Sequence, residues 1–328
     1  MSERESQALW YVGPGRAELR AEPLAAPARG ELRLRALHGG ISRGTERLVF
    51  SGRVPTSEFV RMRGPNMAGS FPFPVKYGYA VVGRVEEGPP ELKDRFVFAL
   101  HPHQDVFNIS ADWVSPLPAE VPPMRAVLAA NMETALNAVW DGAPGPADRI
   151  AVVGCGVVGA LIARLCARLP AAEVTLIDIV SARADLAQAL GARFAPPEAA
   201  PEGCDLVFHS SSTGAGLTTA LRIAGEEATI VEVSWYGNGE VAVPLGQAFH
   251  SRRLRLVSSQ VGAVAPSRRP RWTPARRRAA ALDLLRDRAL DGLLTPPIAF
   301  ENLPARLPDI FAAEGDARCA LIHYPAGP

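Results

Sequence analysis

The chain has 328 residues, 48% of them hydrophobic, and 35 Lys and Arg stand against 34 Asp and Glu for a formal net charge of +1. That length suits two domains with ordinary buried cores. The near balance of charge excludes an overall field that would recruit nucleic acid or an anionic membrane, so small-molecule partners are expected.

From Met1 to about Leu117 the pattern is short β-rich runs, Leu32 to Leu37, Tyr79 to Val85 and Arg95 to Leu100, broken by Gly and Pro clusters. Pro122 and Pro123 precede an apolar helical stretch from Ala126 to Val139, and Gly142 to Pro146 reads as a loop into a new unit. A buried strand over Arg149 to Val153, a Gly-rich turn, a helix over Val157 to Arg168 and a second strand over Glu173 to Ile177 follow. The alternation continues with helix Ala182 to Leu190, strand Asp205 to His209, helix Gly216 to Ala224 and strands Ala228 to Val233 and Arg255 to Ser259. Repeated β-α-β predicts an α/β unit with a parallel sheet and helices on both faces. A basic helix over Pro274 to Arg286 comes next, and Cys319 to Tyr324 reads as a returning strand.

Cys155, Cys166, Cys204 and Cys319 lie far apart with no C-x-x-C pairing, which argues against a zinc finger, a redox pair or a disulfide framework. A cytoplasmic setting fits. The stretch Met1 to Gln7 lacks the basic and apolar regions of a signal peptide, so export is not expected. No apolar run reaches the roughly 18 residues that span a bilayer, so no membrane segment is expected.

The strongest motif is Gly154-Cys155-Gly156-Val157-Val158-Gly159, directly after a buried strand and opening a helix, with Asp178 at the end of the next strand. Gly154 suits the tight turn, Gly156 the close approach of backbone to a pyrophosphate, and Gly159 the packing of helix on strand. The helix N-terminus at Val157 and Val158 then faces the phosphates. Asp178 would accept hydrogen bonds from an adenosine ribose and repel a 2′-phosphate, favouring NAD(H) over NADP(H). Arg183, five residues on, would offset part of that repulsion. The competing reading is a glycine turn that only packs a helix.

A β-rich first part, a Rossmann unit over 125–265 and a C-terminal return resemble the medium-chain dehydrogenase/reductase family over nearly the whole chain. Gly40-Ile41-Ser42-Arg43-Gly44-Thr45-Glu46 resembles its G-I-C-G-T-D segment, Gly78 to Gly83 its G-H-E-x-x-G, and Ala130 to Ala135 its C-x-x-x-T-A. The resemblance implies a GroES-like catalytic domain over 1–124, completed by 266–328, and a Rossmann doubly wound dinucleotide-binding domain over 125–265. It also implies a homodimer. The positions of the family's zinc ligands are held by Ser42 or Arg43, Tyr79 and Ala130, and Ala130 offers no donor. No zinc is therefore expected. Gly40 to Gly52 and Gly78 to Val85 are similar to bacteriochlorophyllide 3-hydroxyethyl dehydrogenases, which implies interconversion of a secondary alcohol and a ketone.

Without zinc, a carbonyl reductase still needs a donor to the developing alkoxide. Tyr79 in the metal-ligand slot is the first candidate, against a tyrosine merely packed in the core. Arg43 is the second, as an oxyanion or pyrophosphate fork, against a solvated loop arginine. Glu133 is either a proton relay or an exposed helix carboxylate, and Thr134 would approach the nicotinamide ribose. Ser210, Ser211 and Ser234 follow strand ends and are expected to border the cofactor. Ser42, His101, Trp235 and Tyr236 are the candidate substrate-pocket residues, Trp235 and Tyr236 serving alternatively as packing.

His101 and His103 would form a metal pair only with further ligands such as Glu46 or Glu133. The basic run Ser267 to Arg278 with Trp272 is a weak nucleic-acid signal without an accompanying motif. The function expected is zinc-independent hydride transfer between NAD(H) and a carbonyl or secondary alcohol. The alternatives are a quinone- or enone-type reductase and a non-catalytic NAD(H)-binding sensor.

Overall fold

The computed structural model describes residues 4–312 and 318–326. Contacts divide the chain into two units, one of Met1–Ala130, Leu282–Arg286 and Leu294–Pro328, the other of Asn131–Ala281 and Asp287–Leu293.

The first unit is β-rich. Strand Glu31–Ile41 is central, with Leu32 and Leu34 fully buried and Arg33 and His38 also buried. It pairs antiparallel with Val81–Glu87 on one side, with Val106–Ser110 along its first half, and with Ala320–His323 along its second half. The apolar run near the C-terminus therefore does return as a strand, into the first unit's sheet. Gly40 allows it to fit: a Cβ there would lie 3.1 Å from Cys319 Sγ and 3.1 Å from Val127. A second sheet runs Arg16–Leu24, Arg4–Gly13, Val75–Lys76 and Ala68–Gly69.

The second unit holds a six-stranded parallel sheet. Its spatial order is Arg193–Ala195, Glu173–Ile177, Arg149–Val153, Cys204–His209, Ala224–Glu232 and Arg255–Ser258. Numbered along the chain this is 3-2-1-4-5-6, the doubly wound Rossmann order. Arg149–Val153 and Glu173–Ile177 bury every residue after the first, as strands covered on both faces must. The order reverses between Arg149–Val153 and Cys204–His209, the switch point at whose carboxyl ends sheets of this kind bind ligands.

Three expectations are adjusted. The stretch read as one helix from Ala126 is two, Pro123–Ala126 and Ala129–Gly142. The edge strand Arg193–Ala195 carried no sequence signal, being three residues followed by Pro196 and Pro197. The stretch 266–281, expected with the first unit, groups with the second, because Arg277 is buried against Glu133 and Asn137.

Candidate functional site

The glycine loop sits at the switch point of the parallel sheet. Gly154 has φ +106, and a Cβ there would strike the Ser211 backbone nitrogen at 2.7 Å. A Cβ on Gly159 would meet the Gly154 carbonyl oxygen at 2.0 Å and Ser210 Oγ at 2.6 Å, so helix Val157–Cys166 reaches its strand only because this residue has no side chain. Gly156 is different. Nothing lies within 4 Å of its Cβ position, and as N-cap with φ −80 and ψ 179 it places no side chain over the first turn, where Val157 and Val158 are half-buried. Two glycines are thus demanded by packing, while the middle one leaves open space before a helix N-terminus, the arrangement that admits a phosphate.

Asp178 closes the loop from the neighbouring strand. Its Oδ2 accepts from the Cys155 amide at 2.7 Å and from Arg183 Nη1 at 2.6 Å, and its Oδ1 accepts from the Val180 amide at 2.9 Å. Arg183 is therefore drawn onto Asp178 itself. Burial pushes the Cys155 thiol up to about 11, and the Asp178 charge adds to it, so this thiol is no nucleophile near neutrality.

The serines fall at the same edge. Ser210 donates to the Gly154 carbonyl at 2.9 Å and packs on Gly159, so a larger residue there would displace the loop. Ser234 Oγ accepts from the Ser212 amide at 3.1 Å, tying two strand-end loops together. Ser211 leads to residues that sequence reasoning missed. His209 and Glu232 stand opposite each other in the parallel register; His209 Nδ1 lies 2.7 Å from Glu232 Oε2, and its Nε2 lies 2.7 Å from Ser211 Oγ. Tyr236 donates to the same Glu232 oxygen at 2.9 Å, and the Ser234 amide donates to the other at 2.7 Å. Burial pushes the Glu232 carboxyl up, but the His209 and Ser234 bonds outweigh it and hold the group below its usual value. A polar residue ending each of two apolar parallel strands was the available signal. Tyr236 is thus bound into this network, and Trp235 is half-buried beside it in sequence. Thr134 is half-buried on helix Ala129–Gly142.

Glu133 is not an exposed helix carboxylate. It is buried, takes Arg277 Nε at 3.1 Å and lies 3.8 Å from Arg278 Nε. Arg277 also donates to Asn137 Oδ1 at 2.9 Å and to the Val261 carbonyl at 2.7 Å. Burial pushes the Glu133 carboxyl up while the two guanidinium groups oppose it. The pair fastens the basic segment to helix Ala129–Gly142. Within that segment Arg276 lies 4.1 Å over Trp272, and Trp272 packs 4.7 Å from Trp140, so much of the run is engaged inside its own unit.

In the first unit, the Tyr79 hydroxyl is hydrogen-bonded with the Ser42 and Thr45 side chains, and burial pushes its phenol up to about 12. Ser42 is buried at the start of helix Arg43–Phe50, and its amide donates to Glu46 Oε1 at 2.8 Å. Glu46 Oε2 accepts from Tyr11 at 3.0 Å and faces His103 Nε2 at 2.9 Å, all three being buried. Gly78, φ +119, makes room for that imidazole, since a Cβ would come within 2.6 Å of it. Glu46 and His103 thus meet directly.

His101 does not join them. It stacks on Phe107 at 3.5 Å, donates from Nδ1 to the Pro102 carbonyl at 2.9 Å, and burial pulls it down to about 3. It is a neutral packed ring. The Arg43 guanidinium donates to the Ile310 carbonyl at 3.0 Å and to the Ala312 carbonyl, at the end of helix Leu303–Phe311. Unpaired carbonyls at a helix C-terminus attract a cationic fork.

No protein-family model and no curated protein sequence matches the chain. Solved structures do. A dehydrogenase of the zinc-binding type from Sinorhizobium meliloti 1021, bound to NADP, superposes with a TM-score of 0.78 at 17% identity over 98% of this chain and 100% of that one. A short chain alcohol dehydrogenase from Escherichia coli CFT073, complexed with NADH, gives 0.76 at 15% over 97% and 99%. L-idonate 5-dehydrogenase from Escherichia coli K-12 gives 0.78 at 15% over 98% and 99%. The likeness is one of fold: a GroES-like β-rich unit with a Rossmann unit, the α/β architecture of these dehydrogenases.

Proposed function

We propose that this chain is an NAD(H)-dependent oxidoreductase that moves hydride between the nicotinamide and a carbonyl or secondary alcohol, without zinc. The observation that carries the reading is the glycine loop: Gly154 and Gly159 are required sterically, Gly156 opens onto free space at an uncapped helix start, and Asp178 braces the turn. NADH in one solved structure of the same fold supports the cofactor class. The Asp178 carboxylate favours NADH over NADPH by repelling a 2′-phosphate, and its bond to Arg183 moderates the preference.

Bound nicotinamide supplies or accepts the hydride; the chain must move the proton. Tyr79 is the proposed donor. With its phenol near 12 it is neutral at physiological pH and can donate a hydrogen bond to a carbonyl oxygen. Zinc independence is supported by Tyr79 and Ala130 in the family's ligand slots. A homodimer through edge strand Arg255–Ser258, with Leu256 exposed, belongs to the same proposal.

Titration with NADH and NADPH, wild type beside Asp178→Ala, tests the reading. Tight NADH binding weakened in the variant supports it; binding of neither nucleotide overturns it. Stoichiometric zinc by elemental analysis would overturn the metal-free part. A non-catalytic sensor gains one specific argument, because Arg43 and Glu133 are both committed to structural bonds. Retained ketone reduction in Tyr79→Phe would remove Tyr79 as donor, and absence of any turnover in the wild type would favour the sensor.

A further inference from the structure

Three stretches of the first unit meet at the imidazole of His103. This residue is completely buried, and its main chain is held on both sides: the amide donates to the Tyr77 carbonyl at 3.2 Å, and the carbonyl accepts from the Leu9 amide at 2.9 Å. Its ring lies over Gly78, the residue before Tyr79, where a Cβ would come within 2.6 Å of Cδ2 and 2.7 Å of Nε2. Nε2 reaches Glu46 at 2.9 Å, whereas Nδ1 has no hydrogen-bond partner among the described residues, so Glu46 alone orients the ring by a hydrogen bond.

Glu46 in turn sets the first turn of helix Arg43–Phe50. Its amide donates to the Ser42 carbonyl at 2.9 Å and its Oε1 accepts from the Ser42 amide at 2.8 Å, a reciprocal closure that fixes the Ser42 backbone. The Ser42 and Thr45 side chains on that turn are the hydrogen-bond partners of the Tyr79 hydroxyl. The phenol and its two partners therefore belong to different stretches of chain, and two links set their relative position. On the strand side the Gly40 amide donates to the Ala80 carbonyl at 2.9 Å. On the helix side the Glu46–His103 bond joins the turn that carries Ser42 and Thr45 to the backbone on which Tyr79 stands.

A carboxylate and an imidazole, both fully buried, hold two segments together at a desolvation cost that an apolar contact avoids. What the hydrogen-bonded pair adds is a fixed direction. Proton transfer needs that precision, since donor and acceptor must come within about 2.6–3.2 Å and a misplacement of about 1 Å costs on the order of 10²-fold in rate. We infer that His103 and Glu46 are positioning residues that hold the Tyr79 hydroxyl in register with Ser42 and Thr45 for proton transfer, a role that rests on Tyr79 being the donor proposed above. Neither is assigned a contact with substrate or cofactor.

The test is NADH-dependent reduction of a panel of aliphatic, cyclic and aryl methyl ketones by the full-length protein, with kinetics measured on the best of them, joined to carbon-13 NMR of Cζ-labelled tyrosine at neutral pH. The chain has five tyrosines, and Tyr79→Phe identifies the resonance of interest. His103→Leu is expected to lower kcat by about 10- to 100-fold, to leave KM and NADH affinity little changed, and to move the Tyr79 resonance. His103→Gln, whose amide nitrogen stands where Nε2 does, is expected to recover most of the loss. In a Tyr79→Phe background His103→Leu is expected to bring no further fall, because its effect passes through the phenol. Glu46→Gln, equal in size to the native residue, is expected to lower kcat and move the same resonance, and it carries the test where His103→Leu fails to fold. An unmoved resonance with unchanged kcat, a loss carried by KM, or an equal loss in the Tyr79→Phe background overturns the inference while leaving the donor reading standing. Full ketone reduction retained in Tyr79→Phe, or none across the panel in wild type, overturns the donor reading and the inference together.

Discussion

Substituting the glycines of the loop one at a time separates the demands of the fold from those of a ligand. In Gly159→Ala the new Cβ lies 2.0 Å from the Gly154 carbonyl oxygen and 2.6 Å from Ser210 Oγ, where real Cβ atoms keep beyond 3.0 Å. The oxygen belongs to backbone and cannot swing aside, so helix and strand must part by about 1 Å. Overpacking of this kind costs about 1–3 kcal/mol, and alanine's better helix propensity returns up to about 1 kcal/mol. The net loss of about 1–2 kcal/mol lowers the unfolding midpoint by about 2–4 °C per kcal/mol in a domain of this size.

Gly156→Ala meets nothing within 4 Å, and its φ of −80 suits any residue. The narrower unfolded ensemble contributes about 0.4–1 kcal/mol and alanine's poor N-cap performance removes a similar amount, so stability should stay within about 0.5 kcal/mol of wild type. NADH affinity should nevertheless fall at least tenfold, or about 1.4 kcal/mol, because the methyl fills the space that the phosphates need. Thermal unfolding and NADH titration of both variants decide it. An unchanged midpoint in Gly159→Ala refutes the steric reasoning, and unchanged affinity in Gly156→Ala refutes phosphate approach at that position.

Glu133→Ala strands Arg277 in a buried site and should cost about 3–5 kcal/mol in urea unfolding while leaving NADH affinity per folded molecule unchanged; a loss below 1 kcal/mol, within the range of an exposed pair, would show that the pair is solvated. Tyr79→Phe should lower ketone reduction by about 10²–10⁴ with NADH affinity intact, and no acid–base limb attributable to this phenol should appear below pH 10. Glu232 has a folded pKa depressed below its unfolded value, so its stabilising contribution is complete above the ordinary value of 4.5 and is lost as pH falls through the folded value. Glu232→Gln should therefore flatten the acid limb of the stability profile, and an unaltered limb would assign it to other carboxylates. Arg43→Met should cost about 1 kcal/mol through the C-terminal carbonyls of Leu303–Phe311 and leave turnover unchanged; a large fall in turnover at unchanged stability would return Arg43 to the chemistry.

The second unit was legible because its determinants are local. A run such as Arg149–Val153, followed at once by Gly154, Gly156 and Gly159 and a helical stretch, states strand, turn and helix within a few residues, and Asp178 follows at the end of the next strand. Repetition of that unit gives the parallel sheet, and the apolar stretch at Ala320–His323 was recognisable as a strand from its own residues. The short edge strand Arg193–Ala195 was not, since three residues carry no periodicity and its identity comes from pairing with Glu173–Ile177.

What composition and local pattern determined is therefore the class of fold, the glycine loop and the carboxylate beside it. The tertiary structure alone decided what the remaining polar groups do. Arg43 caps a helix 267 positions away, Glu133 holds an arginine 144 positions away, and His209 finds Glu232 across 23 positions of intervening helix and strand. A charged side chain reveals its type in sequence but not its partner, and the partner, through burial and hydrogen bonding, sets whether that group binds, moves a proton or merely holds the chain together.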